Sequence, residues 1–217
     1  FHASAVSLAH IRVAARSAGL EPASLDEAFA PDAPARLRSD ARSSLLFLWI
    51  PTVAETGFPA VTRVRITAII PEKGIMTATP ESFDLPGSIS RLAARSPLPA
   101  RPFPIRITLL LLALARERFQ FTAQRFDEEL RRFESIPISE GGREFIEETF
   151  LLRREISAAA LDLGHLSSIL RALADGRIKL RGSNLHEDKF LDDLTAETGQ
   201  LFDRVTTLKE DIKSLIE

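Results

Sequence analysis

The strongest constraint on this chain is the spacing of eight positions near its C-terminal end. Leu191, Leu194, Thr198, Leu201, Val205, Leu208, Ile212 and Leu215 follow one another at intervals of 3, 4, 3, 4, 3, 4 and 3. Only an α-helix brings such positions onto one face, and alternating threes and fours over most of four heptads make an a/d seam. The helix is read from about His186 to Glu217, with Asn184 or Ser183 as its N-cap, and no Gly or Asn cap or closing Pro ends it. At 1.5 Å per residue such a rod is about 45 Å long. Two readings follow. Either the seam packs inside an intramolecular helical bundle, which spacing alone favours, or it meets partner chains and leads out of the domain. The chain begins at Phe1 without an initiator Met, which reads as a fragment.

Two more long helices precede this one. Residues from Pro104 to about Ile136 carry a helical pattern, closed by Pro137 and the Gly141-Gly142 turn. A second runs from Arg143 to about Ala174 and ends at Asp175-Gly176. Residues 1–100 have another texture, with frequent Pro and Gly and short apolar runs. Residues 4–19 and 24–29 read as helices, the second with Ser24 as N-cap and Glu27 at the capping-box position. Residues 43–53, 61–70 and 75–79 read as strands, the last two forming a hairpin around EKG, and 85–96 as a short helix. The expected class is α+β in a layered α/β/α arrangement: a small sheet with flanking helices, packed on a bundle of long helices that ends in a stalk. The expected division is an N-terminal α/β subdomain over 1–100 and a long-helix subdomain over 101–217, with the stalk helix at 186–217.

Composition narrows the chemistry. The chain has no Cys, which removes disulfides, thiolate zinc sites and cysteine nucleophiles. Its formal net charge of −2 gives no electrostatic case for nucleic acid. The charge is uneven, however. Arg91–Arg132 holds 9 basic and 4 acidic residues, whereas Glu187–Glu217 holds 4 basic and 9 acidic ones. The ordinary reading of either block is a solvated face. The longest apolar run, Leu109–Ala115, has 7 residues, far short of the ~20 a membrane-spanning helix needs, so a soluble piece is expected. The four His (His2, His10, His165, His186) form no metal-ligand pair, and no nucleophile elbow, dinucleotide fingerprint or P-loop occurs. His165 lies mid-helix among Leu163, Leu166 and Ile169 and reads as a core or interface histidine. The chain is therefore not expected to be an enzyme. Its carboxylates, Asp26-Glu27, Asp192-Asp193, Glu210-Asp211 and Glu217, suit hard cations such as Mg²⁺ or Ca²⁺, which prefer oxygen donors.

Four stretches, in this order, carry a family resemblance: GLEPASLDEAF (19–29), LLFLWI (45–50) with VTRVRITAIIPEKGIMTATP (61–80), RFDEELRRFE (125–134), and LLRREISAAALDLGHLSSIL (151–170) with the last helix. Together they resemble the cytoplasmic domain of the CorA family of divalent-cation transporters, which includes the ZntB zinc transporters. Departures are present. Glu21 stands for the family's His and Ala23 for its Leu, the acids of Asp26-Glu27 are exchanged, and Gly164-His165 stands where Trp-Pro is common. The resemblance implies a homopentamer on the cytoplasmic side of the cell (inner) membrane. The stalk would continue into a membrane helix beyond Glu217. Divalent cations, Mg²⁺ first and then Co²⁺, Ni²⁺ or Zn²⁺, would bind between subunits and gate the pore. Glu27 of one subunit would face Glu217 of the next. Asp26 and Asp193 would hold a second cation, whose third acid would fall near Ala113, which has no oxygen to offer. The alternative is a helical scaffold that self-associates through the heptad seam and has no transport role.

Overall fold

The computed structural model describes residues 2–4, 8–17, 19, 33–39, 42–71, 74–79, 83–95, 98, 100–136, 142–180, 185 and 188–216. Along the chain these form β1 (His2–Ser4), α1 (Leu8–Ser17), β2 (Arg36–Ser39), β3 (Ser43–Thr52), β4 (Thr62–Pro71), β5 (Met76–Thr79), α2 (Leu85–Arg95), α3 (Phe103–Glu134), α4 (Arg143–Ala174) and α5 (Lys189–Ile216). The expected helix over 24–29 and the proposed caps Ser183 and Asn184 lie outside the described residues.

The sheet has five strands in the order β1-β5-β4-β3-β2. β2 through β5 pair antiparallel, and β1 adds to β5 in parallel. β3 and β4 form its centre over ten paired positions, from Ser43↔Pro71 to Thr52↔Thr62. Alternation then sorts the side chains. Leu46, Leu48 and Ile50, with Val64, Ile66, Ala68 and Ile70, join the core that the long helices build. On the other face Phe47 meets Trp49 edge to face with ring centroids 5.6 Å apart. The Arg65 guanidinium lies 4.2 Å over Phe47, and that of Arg63 lies 4.5 Å over Trp49.

β1 and β2 correct the sequence reading, which had a helix from residue 4 and no strand before residue 43. Both strands are too short and too polar to show a period of two. They exist because their partners Thr77–Thr79 and Ser44–Phe47 supply the ladder.

α3 begins where Pro104 fits, in the first turn, whose backbone N–H groups have no helical partner. Its run Leu109–Ala115 is buried without a break. A helix apolar all round must be enclosed. The sheet covers this one on one side, and α2, α4 and α5 cover the others. Among the described residues no helix is long and apolar enough to cross a membrane.

The heptad seam of α5 is buried against α3 and α4 of the same chain. Leu191, Thr198 and Ile212 are 0% exposed and Val205 is 1% exposed. Thr198, the one hydroxyl in the stripe, donates to the Leu194 carbonyl at 2.7 Å, so the seam buries no unpaired donor. The intramolecular reading therefore holds, and the seam is not available to a partner chain. Opposite it, Gly164 of α4 lets the Phe202 ring approach; a Cβ there would sit 3.4 Å from that ring.

α4 is tied to the β3–β4 end of the sheet. Val61 N–H donates to Glu155 Oε2 at 3.3 Å, and Arg63 Nη2 donates to Asp162 Oδ1 at 2.6 Å. Asp162 is buried, while Arg63 is half exposed. Burial pushes the Asp162 carboxyl above its ordinary value of 3.8, although the Arg63 hydrogen bond, the Arg63 charge and His165 pull the other way. A carboxyl raised in the folded state stabilises the fold below its unfolded pKa, and that contribution is lost as pH rises through the folded value. Asp162→Asn removes this titration. The stability advantage of the parent over the variant should therefore be larger at about pH 3 than at about pH 6 in chemical denaturation. An advantage that grows with pH would show that the Arg63 pair outweighs desolvation.

Candidate functional site

The two charge blocks of the sequence meet in space. α5 starts at Asp188, whose Oδ1 accepts from the backbone N–H groups of Phe190 (3.0 Å) and Leu191 (3.3 Å). This is N-cap geometry on the N2 and N3 donors. The cap is therefore Asp188, and the helix begins at Lys189 rather than His186. The other oxygen of Asp188 forms an ion pair with Arg101, just ahead of α3; the Asp188 side chain is 1% exposed and that of Arg101 18%. Further along, Arg116 of α3 meets Glu197 of α5 at 3.2 Å, and Asp127 of α3 meets Arg204 of α5 at 3.3 Å. The basic and acidic blocks thus partly neutralise each other between α3 and α5, a correction to the reading of each as a merely solvated face.

Beside this junction lies a groove of about 600 Å³ between α2, α3 and α5. Leu92, Phe121, Phe190 and Leu194 supply much of its apolar lining. Its charged lining comprises Arg95, Arg116, Glu117, Asp193 and Glu197. Helical spacing explains the set, because Ala113, Arg116, Glu117 and Gln120 share one face of α3 while Asp193 and Glu197 lie one turn apart on α5. Two of the three acids already have cationic partners, Glu117 with Arg95 at 3.0 Å and Glu197 with Arg116 at 3.2 Å. Asp193 has no ion pair among the described residues and is exposed.

Of the four carboxylates that the resemblance assigns to cations, only Asp193 falls among the described residues; Asp26, Glu27 and Glu217 lie outside them. Asp193 and Ala113 line the same groove, together with two arginines, Arg95 and Arg116, that the sequence reading did not weigh. Charge-sign counting in the basic block was the one available signal for them. A divalent cation there would find one free carboxylate. Among the described residues no three His, Cys, Asp or Glu side chains are grouped to hold a metal ion. Of the two acids the resemblance gives to a second cation, the groove holds Asp193, and Asp26 lies outside the described residues.

The architecture is shared with solved structures. Over 99% of this chain superposes on 84% of the soluble domain of CorA from Methanocaldococcus jannaschii, with a TM-score of 0.76 and 17% identity. The fold is that of the CorA soluble domain. The same holds for the complete CorA magnesium transporter from that organism (TM-score 0.73, 17% identity, 99% of this chain against 67% of that one). The ZntB cytoplasmic domain from Vibrio parahaemolyticus has the fold too, at TM-score 0.64 and 10% identity, over 99% of this chain and 80% of that one. No protein-family model and no curated protein sequence matches this chain. At such low identity the likeness is one of fold; in this chain that fold is built on the ten-residue β3–β4 pair, the all-round apolar centre of α3 and the buried seam of α5.

Proposed function

We propose that this chain is the cation-sensing domain of a CorA-like divalent metal ion transporter, on the cytoplasmic side of the membrane. The observation that carries the reading is the CorA fold over 99% of the chain. In this reading α5 continues past Glu217 into a membrane helix, and five copies assemble around it. Glu27 of one subunit and Glu217 of the next bind a divalent cation, Mg²⁺ first and Co²⁺, Ni²⁺ or Zn²⁺ as other candidates. The role is regulatory rather than enzymatic.

The gating follows from charge. Acids brought together across a subunit boundary repel unless a divalent cation bridges them. Occupied sites favour the closed ring, and loss of cation shifts the population towards the open one. At about ten times Kd each site contributes RT ln 11, about 1.4 kcal/mol. Several sites per ring are therefore needed for a firm switch.

The gene beyond the Glu217 codon is the first test. An apolar segment of about 20 residues should begin within a short distance, and a stop codon there sinks the reading. The second test is thermal and uses the intact protein. Mg²⁺ at about ten times Kd should raise the melting temperature, and Glu27→Ala should cut that rise by about half or more. An unchanged rise in Glu27→Ala removes Glu27 from the site.

A further inference from the structure

We propose that the groove between α2, α3 and α5 carries its own fixed cations, Arg116 above all, in the place where a second divalent cation would otherwise bridge the helices. Three observations support this. Arg116 reaches from α3 to Glu197 on α5 at 3.2 Å, so a guanidinium already spans the junction that a bridging ion would span. Arg95 reaches from α2 to Glu117 on α3 at 3.0 Å, so the second junction of the same groove is closed in the same way. Ala113, which lines the groove one turn before Arg116, has no oxygen to offer. Asp193 then remains as a single open carboxylate among paired ones.

The two kinds of bridge respond differently to their surroundings. A bound ion leaves when its concentration falls, and the groove would loosen with it. A guanidinium tethered to α3 cannot be diluted away. The Arg116–Glu197 and Arg95–Glu117 bridges are thus not lost when divalent cation is withdrawn. The exclusion rests on the groove's own side chains. Its consequence for regulation rests on the sensing reading above: the response to cation falls to the Glu27–Glu217 pair, with no second site to reinforce it.

Counting bound Mn²⁺ by electron paramagnetic resonance separates the two claims. Four forms of the 217-residue chain are compared: the parent, Asp193→Asn, the double variant Ala113→Asp with Arg116→Gln, and the same double variant with Asp193→Asn added. The parent and Asp193→Asn should bind the same number of ions per chain. The double variant frees Glu197 and adds a carboxylate next to Asp193, so it should bind one ion more. Adding Asp193→Asn to it should remove that ion.

A parent that loses an ion on Asp193→Asn overturns the proposal, because its groove then already holds one. So does a folded double variant that gains none, because Arg116 and Ala113 are then not what excludes the ion. Should Ala113→Asp prevent folding, the single variant Asp193→Asn still decides. A parent that binds no Mn²⁺ at all counts against the sensing reading at Glu27 and Glu217. It leaves the groove proposal to be judged by the ion gained in the double variant.

Discussion

Asp188→Ala should lower the melting temperature by about 6–12 °C, the shift that about 3 kcal/mol produces in a chain of this size. Two losses combine. The Asp188 side chain is 1% exposed and pairs with Arg101, itself 18% exposed. Removing one partner of such a pair strands a charge out of water, which costs 3–5 kcal/mol where both partners are fully buried and about 2 kcal/mol where one can still hydrate. The same side chain caps α5 through Phe190 and Leu191, and losing a cap costs about 1 kcal/mol. Asp188→Asn keeps an acceptor for the cap and loses the charge, so it should fall between variant and parent. Arg101→Met should be at least as damaging as Asp188→Asn, because it leaves a buried carboxylate with no cation. A shift of under about 2 °C for Asp188→Ala would show that α5 docks through its apolar seam alone.

Val205→Asp should be more damaging, with a loss of about 4 kcal/mol or more and a chain that no longer unfolds in one cooperative step. Val205 is 1% exposed, within the seam that meets α3 and α4. A carboxylate there has no cation to meet along the stripe Leu201, Val205, Leu208, Ile212. The substitution also decides between the two readings of the heptads. If the seam served partner chains, Val205→Asp would dissociate an oligomer and leave the isolated chain as stable as before. With the seam spent inside the chain, the damage should appear in a monomer at high dilution, by circular dichroism during chemical denaturation. Asp211→Ala, on the exposed side of the same helix, is the control and should change stability by no more than about 0.5 kcal/mol.

The parts of the fold with a strong local period were legible. α4 runs from Arg143 to Ala174, as its pattern and the Gly176 stop predict, and Gly176 takes the left-handed φ of 68° expected after a helix end. β3 and β4 were legible because ten-residue apolar or alternating runs leave little choice. β1 and β2, of three and four residues, were not. Strands that short are specified by the ladder they join, and β1 joins a strand more than seventy positions away, His2 pairing with Thr77. The start of α5 was misplaced for a related reason. Ser183 and Asn184 are good caps in isolation, as are Asp and Ser generally. Asp188 has in addition the guanidinium of Arg101, just ahead of α3, as an ion-pair partner for its second oxygen.

The candidate site divides the same way. The family resemblance gave Asp193 as a candidate ligand and Ala113 as a position unable to ligate. The structure placed both in one groove and put Arg95 and Arg116 beside them. Periodicity says which side chains share a face of one helix, because 3.6 residues per turn is a property of the backbone itself. It does not say which face of another helix will lie opposite. That is set by how the sheet, α3, α4 and α5 enclose a common core, and pairing of charges follows from it, since a Coulomb interaction depends on distance and local dielectric rather than on separation along the chain. The sequence by itself determined the three long helices, the central strands and the α+β class. Only the tertiary structure decided that the heptad seam is an internal surface, that Asp188 caps α5 and ties it to Arg101, and that Asp193 lies among arginines.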